Sequence, residues 1–297
     1  RHRPGRHGPR NKPDQRHRHP LCATADRTGI AHASSGLSPR QSPRSRGTRA
    51  IAEEFIRSHG AEPVYKGYVP PGRRSLGKTP PFPGTICASI NDVICHGIPS
   101  TKEKVRQGDV IGVDIGLRLN GWIGDACYTF PVGDISDETQ RLLTVAKECM
   151  ELGIAQARVG NRLGDIGAAI QRHAEAHKFA VVREYTGHGL GRNLHEEPTV
   201  LHYGEPGTGQ KLLTNMVFTV EPMINVGTAA TKLMRDGWTV RTADGKRSAQ
   251  FEHTVAITDD GPLLLTAGPP YEDMRQARQG LQYATVLRLK ILCLPMN

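Results

Sequence analysis

The alternation of apolar and polar residues predicts two neighbouring strands near the middle of the chain. Residues 109–116 and 122–131 both show this alternation, which is typical of strands that bury one face. Asn120-Gly121 lies between them, and this dipeptide favours a two-residue type I′ hairpin turn. The sequence therefore predicts an antiparallel hairpin.

The hairpin register sets the positions of two acidic residues. With a two-residue loop, Leu119 pairs with Trp122 and residue 114 lies opposite residue 127. Side chains alternate between the two faces of a strand, so residue 125 shares the face of residue 127. We therefore expect Asp114 and Asp125 to project from the same side, within reach of one ion.

The remaining pattern predicts a mixed α+β fold. Apolar residues at helical spacing, together with capping and turn residues, predict helices that end or run near 51–59, 137–157 and 163–177. Residues 69–81 form a loop rich in Pro, Gly and basic residues. Further strands are predicted near 85–93, 181–185, 216–224 and 249–258. Since strands outnumber helices and one hairpin is antiparallel, the class is α+β.

Two further acids lie in strongly apolar strands. Glu221 ends the stretch Met216–Val220, and Glu252 lies within residues 250–257. Converging carboxylates repel each other by roughly 4 kcal/mol per pair at about 4 Å and an effective dielectric near 20. Protonation or bound cations relieve that repulsion. Four such acids therefore indicate a cation site, although a single acid more often caps a turn or pairs with a surface cation.

His188 is the candidate imidazole for this site. It lies in Thr186-Gly187-His188-Gly189, where we expect a glycine-flanked turn to present the ring at the end of strand 181–185. Alone this signal is weak, because a histidine in a glycine-rich turn is usually only exposed. Carboxylates with one imidazole favour Mn, Fe or Co over a zinc site built from cysteines.

The positive charge of the chain is concentrated in its first fifty residues. Residues 1–50 contain eleven Arg and one Lys against two Asp, which equals the net charge of +10 for the whole chain. The basic balance therefore describes this segment rather than a nucleic-acid-binding face on the folded part. Residues 1–48 are predicted to be disordered, with an organelle transit peptide as one alternative.

Cysteine spacing and hydropathy favour a cytoplasmic protein. The six cysteines form no CxxC pair, which argues against a disulfide framework or a zinc ribbon. No apolar run is long enough to predict a membrane span, and the first residues do not form a secretory signal. We expect no membrane partner.

Five stretches of the chain resemble the bacterial-type type I methionine aminopeptidases over about residues 51–266. They are CASINDVICHGIPS (87–100), GDVIGVDIGLRLNGWIGDACYTFPVG (108–133), REYTGHGLGRNLHEEPTVLHY (183–203), FTVEPMINVG (218–227) and DGWTV with SAQFEHTVAIT (236–258). The resemblance implies the pita-bread fold, a curved antiparallel sheet backed by helices in two pseudo-symmetric halves. It also implies a catalytic domain at 49–266, leaving 267–297 as an extension without an assigned role.

The resemblance further implies a centre of two divalent ions (Co, Mn, Fe or Zn) and a set of metal ligands. Asp114 would bind one ion, Asp125 and Glu252 would bridge both, and His188 and Glu221 would complete the second. The charge argument from the residues reaches the same five positions.

Catalytic and pocket residues follow from the same resemblance. Glu221 would move the proton of the attacking water, His195 would hydrogen-bond the scissile carbonyl and His96 would contact the scissile amide. The methionine pocket would be lined by Tyr68, Phe82, Cys87 and Trp238. For Cys87, a buried structural thiol is an equal alternative.

The implied function is removal of the initiator methionine from nascent proteins with a small second residue, by a monomer that can contact the ribosome transiently. Two departures from the family pattern affect the pocket region. The basic segment replaces family residues before Ile51, and an extra stretch within 69–81 separates Tyr68 from Phe82. Alternatives are a catalytically impaired pita-bread protein that acts as a binding module, and a proline-directed aminopeptidase.

Overall fold

The structure is a computed structural model that describes residues 48–70 and 79–267. The predictions for the basic segment 1–48 and for the extension 267–297 concern residues that lie almost entirely outside these ranges. The centre of the Pro-rich loop, residues 71–78, also lies outside them.

Three helices and fifteen strands make up the described part of the chain. The helices are α1 (Thr48–Ser58), α2 (Asp137–Gln156) and α3 (Leu163–Ala176). The strands are β1 (Glu62–Pro63), β2 (Cys87–Ile90), β3 (Val93–Cys95), β4 (Val110–Leu119), β5 (Trp122–Pro131), β6 (Ala180–Val181), β7 (Gly187–Gly189), β8 (Glu196–Val200), β9 (Val217–Val220), β10 (Met223–Asn225), β11 (Thr231–Leu233), β12 (Val240–Thr242), β13 (Ser248–Gln250), β14 (His253–Thr258) and β15 (Gly261–Leu264).

All strand pairs within the described ranges are antiparallel, as expected for an α+β protein. Strand β4 pairs with β1, β2 and β5 in one sheet. The other three sheets have the orders β13-β10-β6, β11-β12-β3 and β15-β14-β9-β7-β8. Antiparallel pairing does not require the crossover helices that connect parallel strands.

The predicted hairpin is confirmed. Leu119 pairs with Trp122 and Asp114 pairs with Cys127, which is the expected register. Asn120 and Gly121 both have positive φ, at 52° and 82°, as a type I′ turn requires.

Helices α2 and α3 pack together and cover the largest core. Ser136 caps α2 by accepting a hydrogen bond from the Thr139 amide, and the predicted stripe from Leu142 to Met150 is buried. A Cβ on Gly153 of α2 would lie 2.7 Å from the Ile170 side chain of α3, so glycine permits this close approach. No helix within residues 48–70 and 79–267 is both long and apolar enough to cross a membrane.

The two predicted strands that carry the glutamates are each interrupted at the acid. The stretch 216–224 divides into β9 and β10 at Glu221-Pro222, and 249–258 divides into β13 and β14 at Phe251-Glu252. Pro222 has no N–H to continue the ladder, and the Glu252 N–H instead donates to the Cys127 carbonyl at 2.9 Å.

The register of this strand pair is the same on both sides of the interruption. Val220 pairs with His253 before it, and Met223 pairs with Gln250 after it. Glu221 and Glu252 therefore stand opposite each other where the pair opens. The backbone N–H groups of both glutamates bond outside this strand pair, that of Glu252 to Cys127 and that of Glu221 to His202.

Two strand predictions need correction. Residues 181–185 do not form one strand, because β6 is only Ala180–Val181. Its partner β10 begins at Met223, directly after Pro222, so pairing stops once the Val182 N–H has bonded the Met223 carbonyl at 3.0 Å. The predicted strand 85–93 is divided into β2 and β3 by a turn in which Asn91 has a φ of 53°.

Thr129 of the hairpin ties β5 to β13. Its hydroxyl donates to the Gln250 carbonyl at 2.7 Å and accepts from the Gln250 N–H at 3.1 Å. Thr129 and Gln250 are both buried. This contact, together with the bond from Glu252 N–H to Cys127, joins the two acid-bearing strand pairs.

Replacing Thr129 by valine should lower the free energy of unfolding by about 1–3 kcal/mol, because it removes two hydrogen bonds to buried backbone groups of Gln250. Urea unfolding measures the effect. Thr231→Val on β11, where the side chain is partly exposed, is the control and should change stability by less than about 0.5 kcal/mol. Equal effects of the two changes would contradict the role given to Thr129.

Candidate metal centre

Four acids and one histidine converge between the two strand pairs. Asp125, His188 and Glu252 each offer a ligand atom within 4.8 Å of the others. His188 Nε2 also lies 3.5 Å from Glu221 Oε1. The Tyr65 hydroxyl contacts the carboxylates of both Asp114 and Asp125, which links the remaining acid to the cluster.

The backbone explains why the acids meet. Asp114 and Asp125 project from β4 and β5, whereas Glu221 and Glu252 occupy the interruption between β9–β10 and β13–β14. The bond between Glu252 N–H and the Cys127 carbonyl brings that interruption onto the hairpin. All four acids are buried, with Asp125 only 4% and Glu252 only 3% exposed.

His188 reaches the cluster from the middle of a sheet and not from a turn, so that prediction was wrong. It is the central residue of β7, which lies between β8 and β9. A Cβ on Gly189 would lie 2.1 Å from the Glu197 carbonyl, and one on Gly187 would lie 2.4 Å from the Thr219 carbonyl. The glycines therefore permit close approach of neighbouring backbones.

The hydrogen bonding of His188 suits a metal ligand. Its Nδ1 lies 3.1 Å from the Gly189 carbonyl, which can only accept, so Nδ1 carries the proton. Nε2 is then unprotonated and faces the carboxylates of Glu221 and Asp125, at 3.5 and 4.0 Å. Burial lowers the pKa of His188 and favours this neutral form.

Buried polar residues around the cluster hold Glu221. The Thr219 hydroxyl donates to Glu221 Oε1 at 2.6 Å, and Gln250 Nε2 donates to Oε2 at 3.2 Å. His202 is fully buried and its Nε2 accepts the Glu221 backbone N–H at 3.2 Å. Burial lowers the His202 pKa to about 3, which keeps the ring neutral and able to accept.

Sequence reasoning missed these supporting residues, although a signal for two of them exists. Thr219 and Gln250 each lie two residues before a candidate ligand, so strand alternation places them on the ligand's side. His202 and Tyr65 carry no comparable pattern. Their positions depend on pairing between distant segments.

His195 lies beside the cluster. Its ring centroid is 4.1 Å from that of His188 and 5.3 Å from that of Tyr68. The Tyr68 hydroxyl lies 2.5 Å from His195 Nδ1. Partial removal from water between these rings, with His188 nearby, lowers the pKa of His195.

His96 lies directly after β3. It has a φ of 55°, which is unusual outside glycine. Its ring packs edge-on against Tyr185 and Trp238, with ring centroids 5.6 and 6.1 Å away.

The four residues predicted for the substrate pocket lie in one apolar cluster. Phe82, Cys87 and Trp238 are buried there and Tyr68 packs against them. Phe82 meets Trp238 edge-on at 5.2 Å, and the Trp238 ring N–H donates to the Pro80 carbonyl at 2.7 Å. Burial holds the pKa of the Cys87 thiol well above its usual range, which disfavours the thiolate.

Backbone hydrogen bonds join the two ends of the stretch between Tyr68 and Phe82. Phe82 N–H donates to the Tyr68 carbonyl at 2.9 Å, and Gly67 N–H donates to the Phe82 carbonyl at 2.8 Å. Tyr68 and Phe82 are therefore neighbours in space despite the insertion, and both belong to this apolar cluster.

A sequence profile of metallopeptidase family M24 matches residues 22–259 of this chain. That range covers most of the chain and starts within the basic segment. The chain belongs to metallopeptidase family M24.

Several relatives within M24 are similar over most of their length. Methionine aminopeptidase B of Synechocystis is 50% identical over 222 residues, which are 74% of this chain and 79% of the relative. Methionine aminopeptidase 1 of Bacillus subtilis is 46% identical over 216 residues, or 73% and 82% of the two chains.

Solved structures give the same picture of the M24 fold. The methionine aminopeptidase of Rickettsia prowazekii superimposes with a TM-score of 0.68 at 46% identity, covering 73% of this chain and 83% of that chain. The enzyme from Thermotoga maritima gives 0.66 at 34% identity, covering 74% and 94%. The predicted pita-bread fold is confirmed.

The donor set of this M24 chain fits divalent metal ions. Carboxylate oxygens and one neutral imidazole are ligands that such ions accept in proteins. Burial raises the pKa of Asp114, Asp125, Glu221 and Glu252, and neighbouring carboxylates raise those of Asp114, Glu221 and Glu252 further. Cations supply the compensation that these groups otherwise obtain by protonation.

Replacing Glu252 by glutamine should stabilise the chelator-treated protein at about pH 8 more than at about pH 5. A raised folded-state pKa means that the wild-type carboxyl contributes stability when protonated, and loses it as the pH rises through that pKa. Glutamine stays neutral at both pH values and has no such loss. Urea unfolding in chelator measures the difference.

Adding Mn²⁺ should reverse the order and make the wild type the more stable protein, since the variant lacks one charged oxygen donor. A stability difference that does not change with pH would contradict a buried, charged Glu252.

Proposed function

We propose that this chain is a methionine aminopeptidase that removes the initiator methionine from newly made proteins. The observation that carries the proposal is the convergence of Asp114, Asp125, His188, Glu221 and Glu252 in one buried cluster. Relatives that are 45–50% identical over most of the chain are methionine aminopeptidases. Both supports point to the same hydrolase.

In this proposal two divalent ions occupy the cluster, with Co, Mn, Fe and Zn as candidates. Asp114, Asp125, His188, Glu221 and Glu252 would hold these ions. When bound, the ions would polarise the scissile carbonyl and lower the pKa of water to about 7, so that hydroxide is available at neutral pH.

Glu221 takes up the proton of the attacking water and delivers it to the leaving amine. Thr219 and Gln250 each donate a hydrogen bond to one of its carboxylate oxygens. These bonds hold the carboxylate in one orientation while its protonation changes. The His202 ring also holds the Glu221 backbone by accepting its N–H.

His195 donates a hydrogen bond to the scissile carbonyl. If the Tyr68 hydroxyl donates to Nδ1, the proton of the neutral ring is on Nε2. Its lowered pKa favours this neutral donor at neutral pH. His96, across the pocket beside Trp238, contacts the scissile amide.

The apolar cluster around Trp238 and Phe82 accepts the methionine side chain. Aromatic rings and the Cys87 thiol suit a polarizable thioether. We further propose a preference for a small second residue.

A proline-directed aminopeptidase has weaker support. The X-Pro aminopeptidase of Thermotoga maritima is 22% identical with a TM-score of 0.55, a likeness that concerns the fold alone. A binding module without catalysis is disfavoured because all five candidate ligands are present.

Several finer points remain predictions: a catalytic unit at 49–266, nascent polypeptide N-termini as partners, transient contact with the ribosome, a monomer and a cytoplasmic location.

Purified protein loaded with Mn²⁺ should release methionine from a Met-Ala peptide and not from a Met-Lys peptide. Chelator should abolish release because it removes the ions. His188→Ala should abolish it because the ring supplies the nitrogen ligand. Chromatography of the free amino acid measures the rate. Absence of release from folded protein shown to bind two ions would refute the proposed activity.

Replacing His195 by alanine should lower kcat by about 10²–10³-fold, because a well-placed donor to the developing oxyanion is worth about 3–4 kcal/mol. Bound metal, determined by elemental analysis, should remain at the wild-type level. Loss of metal together with activity would make His195 a structural residue instead.

A further inference from the structure

Tyr65 places a single hydroxyl between two acids that were expected to share a cation. Its oxygen contacts Asp114 on β4 and Asp125 on β5, and all three side chains are buried. The neighbouring segment explains the position, since Pro63 pairs with Leu117 and Val64 N–H bonds the Gly116 carbonyl at 3.1 Å. The next residue along the chain is Tyr65, whose side chain reaches Asp114.

The hairpin provides a seat for the Tyr65 ring. A Cβ on Gly116 would lie 2.6 Å from Tyr65 Cε1 and 3.0 Å from Cζ, so no other residue fits there without displacing the ring. Gly116 pairs directly with Asp125. The ring also meets Phe82 edge-on, with centroids 6.4 Å apart. Contacts with Gly116 and Phe82 therefore hold the ring while its hydroxyl contacts the two acids.

The Tyr65 hydroxyl compensates the two carboxylates less completely than a cation would. A phenol has one proton to donate, whereas two carboxylates each need a partner once they are buried. Tyr65 can thus satisfy the pair in part, while a divalent ion would satisfy it fully.

We propose that Tyr65 is an internal competitor for the metal centre: its hydroxyl holds Asp114 and Asp125 in the metal-free protein and is displaced from them when the ions bind. This inference rests on the proposed metal centre and adds a control on its affinity. Because metal binding must break the contacts of the hydroxyl, Tyr65 weakens the affinity while keeping the empty site ordered.

Replacing Tyr65 by phenylalanine should tighten Mn²⁺ binding by about tenfold or more, the equivalent of one hydrogen bond to a charged group. The ring remains to fill the space beside Gly116. Isothermal calorimetry on chelator-stripped protein measures the dissociation constant. The variant should also unfold at lower urea concentration than the wild type in chelator, and gain more stability from added Mn²⁺.

A spectroscopic readout follows the hydroxyl itself. Adding Mn²⁺ to the wild type should give a tyrosine difference spectrum in the near ultraviolet, and Tyr65→Phe should lack it. Tyr203→Phe is the matched control, because Tyr203 stacks under Arg183 at 5.0 Å. It should keep both the wild-type affinity and the difference spectrum.

Unchanged or weaker Mn²⁺ binding by Tyr65→Phe would overturn the competitor role. Weaker binding would mean that the hydroxyl supports the ligands in the loaded state. Absence of Mn²⁺ binding by both proteins would overturn the inference along with the proposed metal centre. Methionine release at saturating Mn²⁺ tests the proposed function separately, so the two failures are distinguishable.

Discussion

The mutual repulsion of buried carboxylates is the constraint on which this structure depends. Four acids that would each be solvated in an unfolded chain are enclosed together, and burial disfavours the charge of every one. The fold tolerates them only with compensation from cations, protons or hydrogen-bond donors. Tyr65, Thr219 and Gln250 supply donors from the protein, and the unprotonated nitrogen of His188 completes a set of ligands suited to divalent ions.

The backbone meets this constraint with two antiparallel strand pairs, each of which contributes two acids. The first is the regular hairpin β4–β5, where Asp114 and Asp125 lie diagonally across the register. The second opens at Pro222 and Phe251-Glu252 without changing register, so the Glu252 N–H bonds the hairpin and the Glu221 N–H bonds His202. Thr129 and the Glu252 amide fasten one pair to the other. Precise placement of ligands therefore depends on rigid strands, with helices α2 and α3 forming the core behind them.

The insertion after Tyr68 leaves the apolar cluster around Trp238 in place. Hydrogen bonds from the Phe82 N–H to the Tyr68 carbonyl and from the Gly67 N–H to the Phe82 carbonyl pair the two ends of the inserted stretch. Phe82 packs against Trp238, and Tyr68 lies against His195. An insertion of this kind is tolerated because the entropic cost of closing a loop grows only slowly with its length.

Local sequence alone determined the helices α2 and α3, the β4–β5 hairpin and the shared face of Asp114 and Asp125, because helical period, turn residues and strand alternation act over a few neighbouring residues. It also singled out Glu221 and Glu252, since charged groups in apolar strands are conspicuous, whereas the signal for His188 was weak. It could not divide the strands at Glu221 and Glu252, place His188 within β7 or find Tyr65 and His202. Those features were decided by tertiary structure, because they arise from backbone bonds and close approaches between segments that are far apart in the chain.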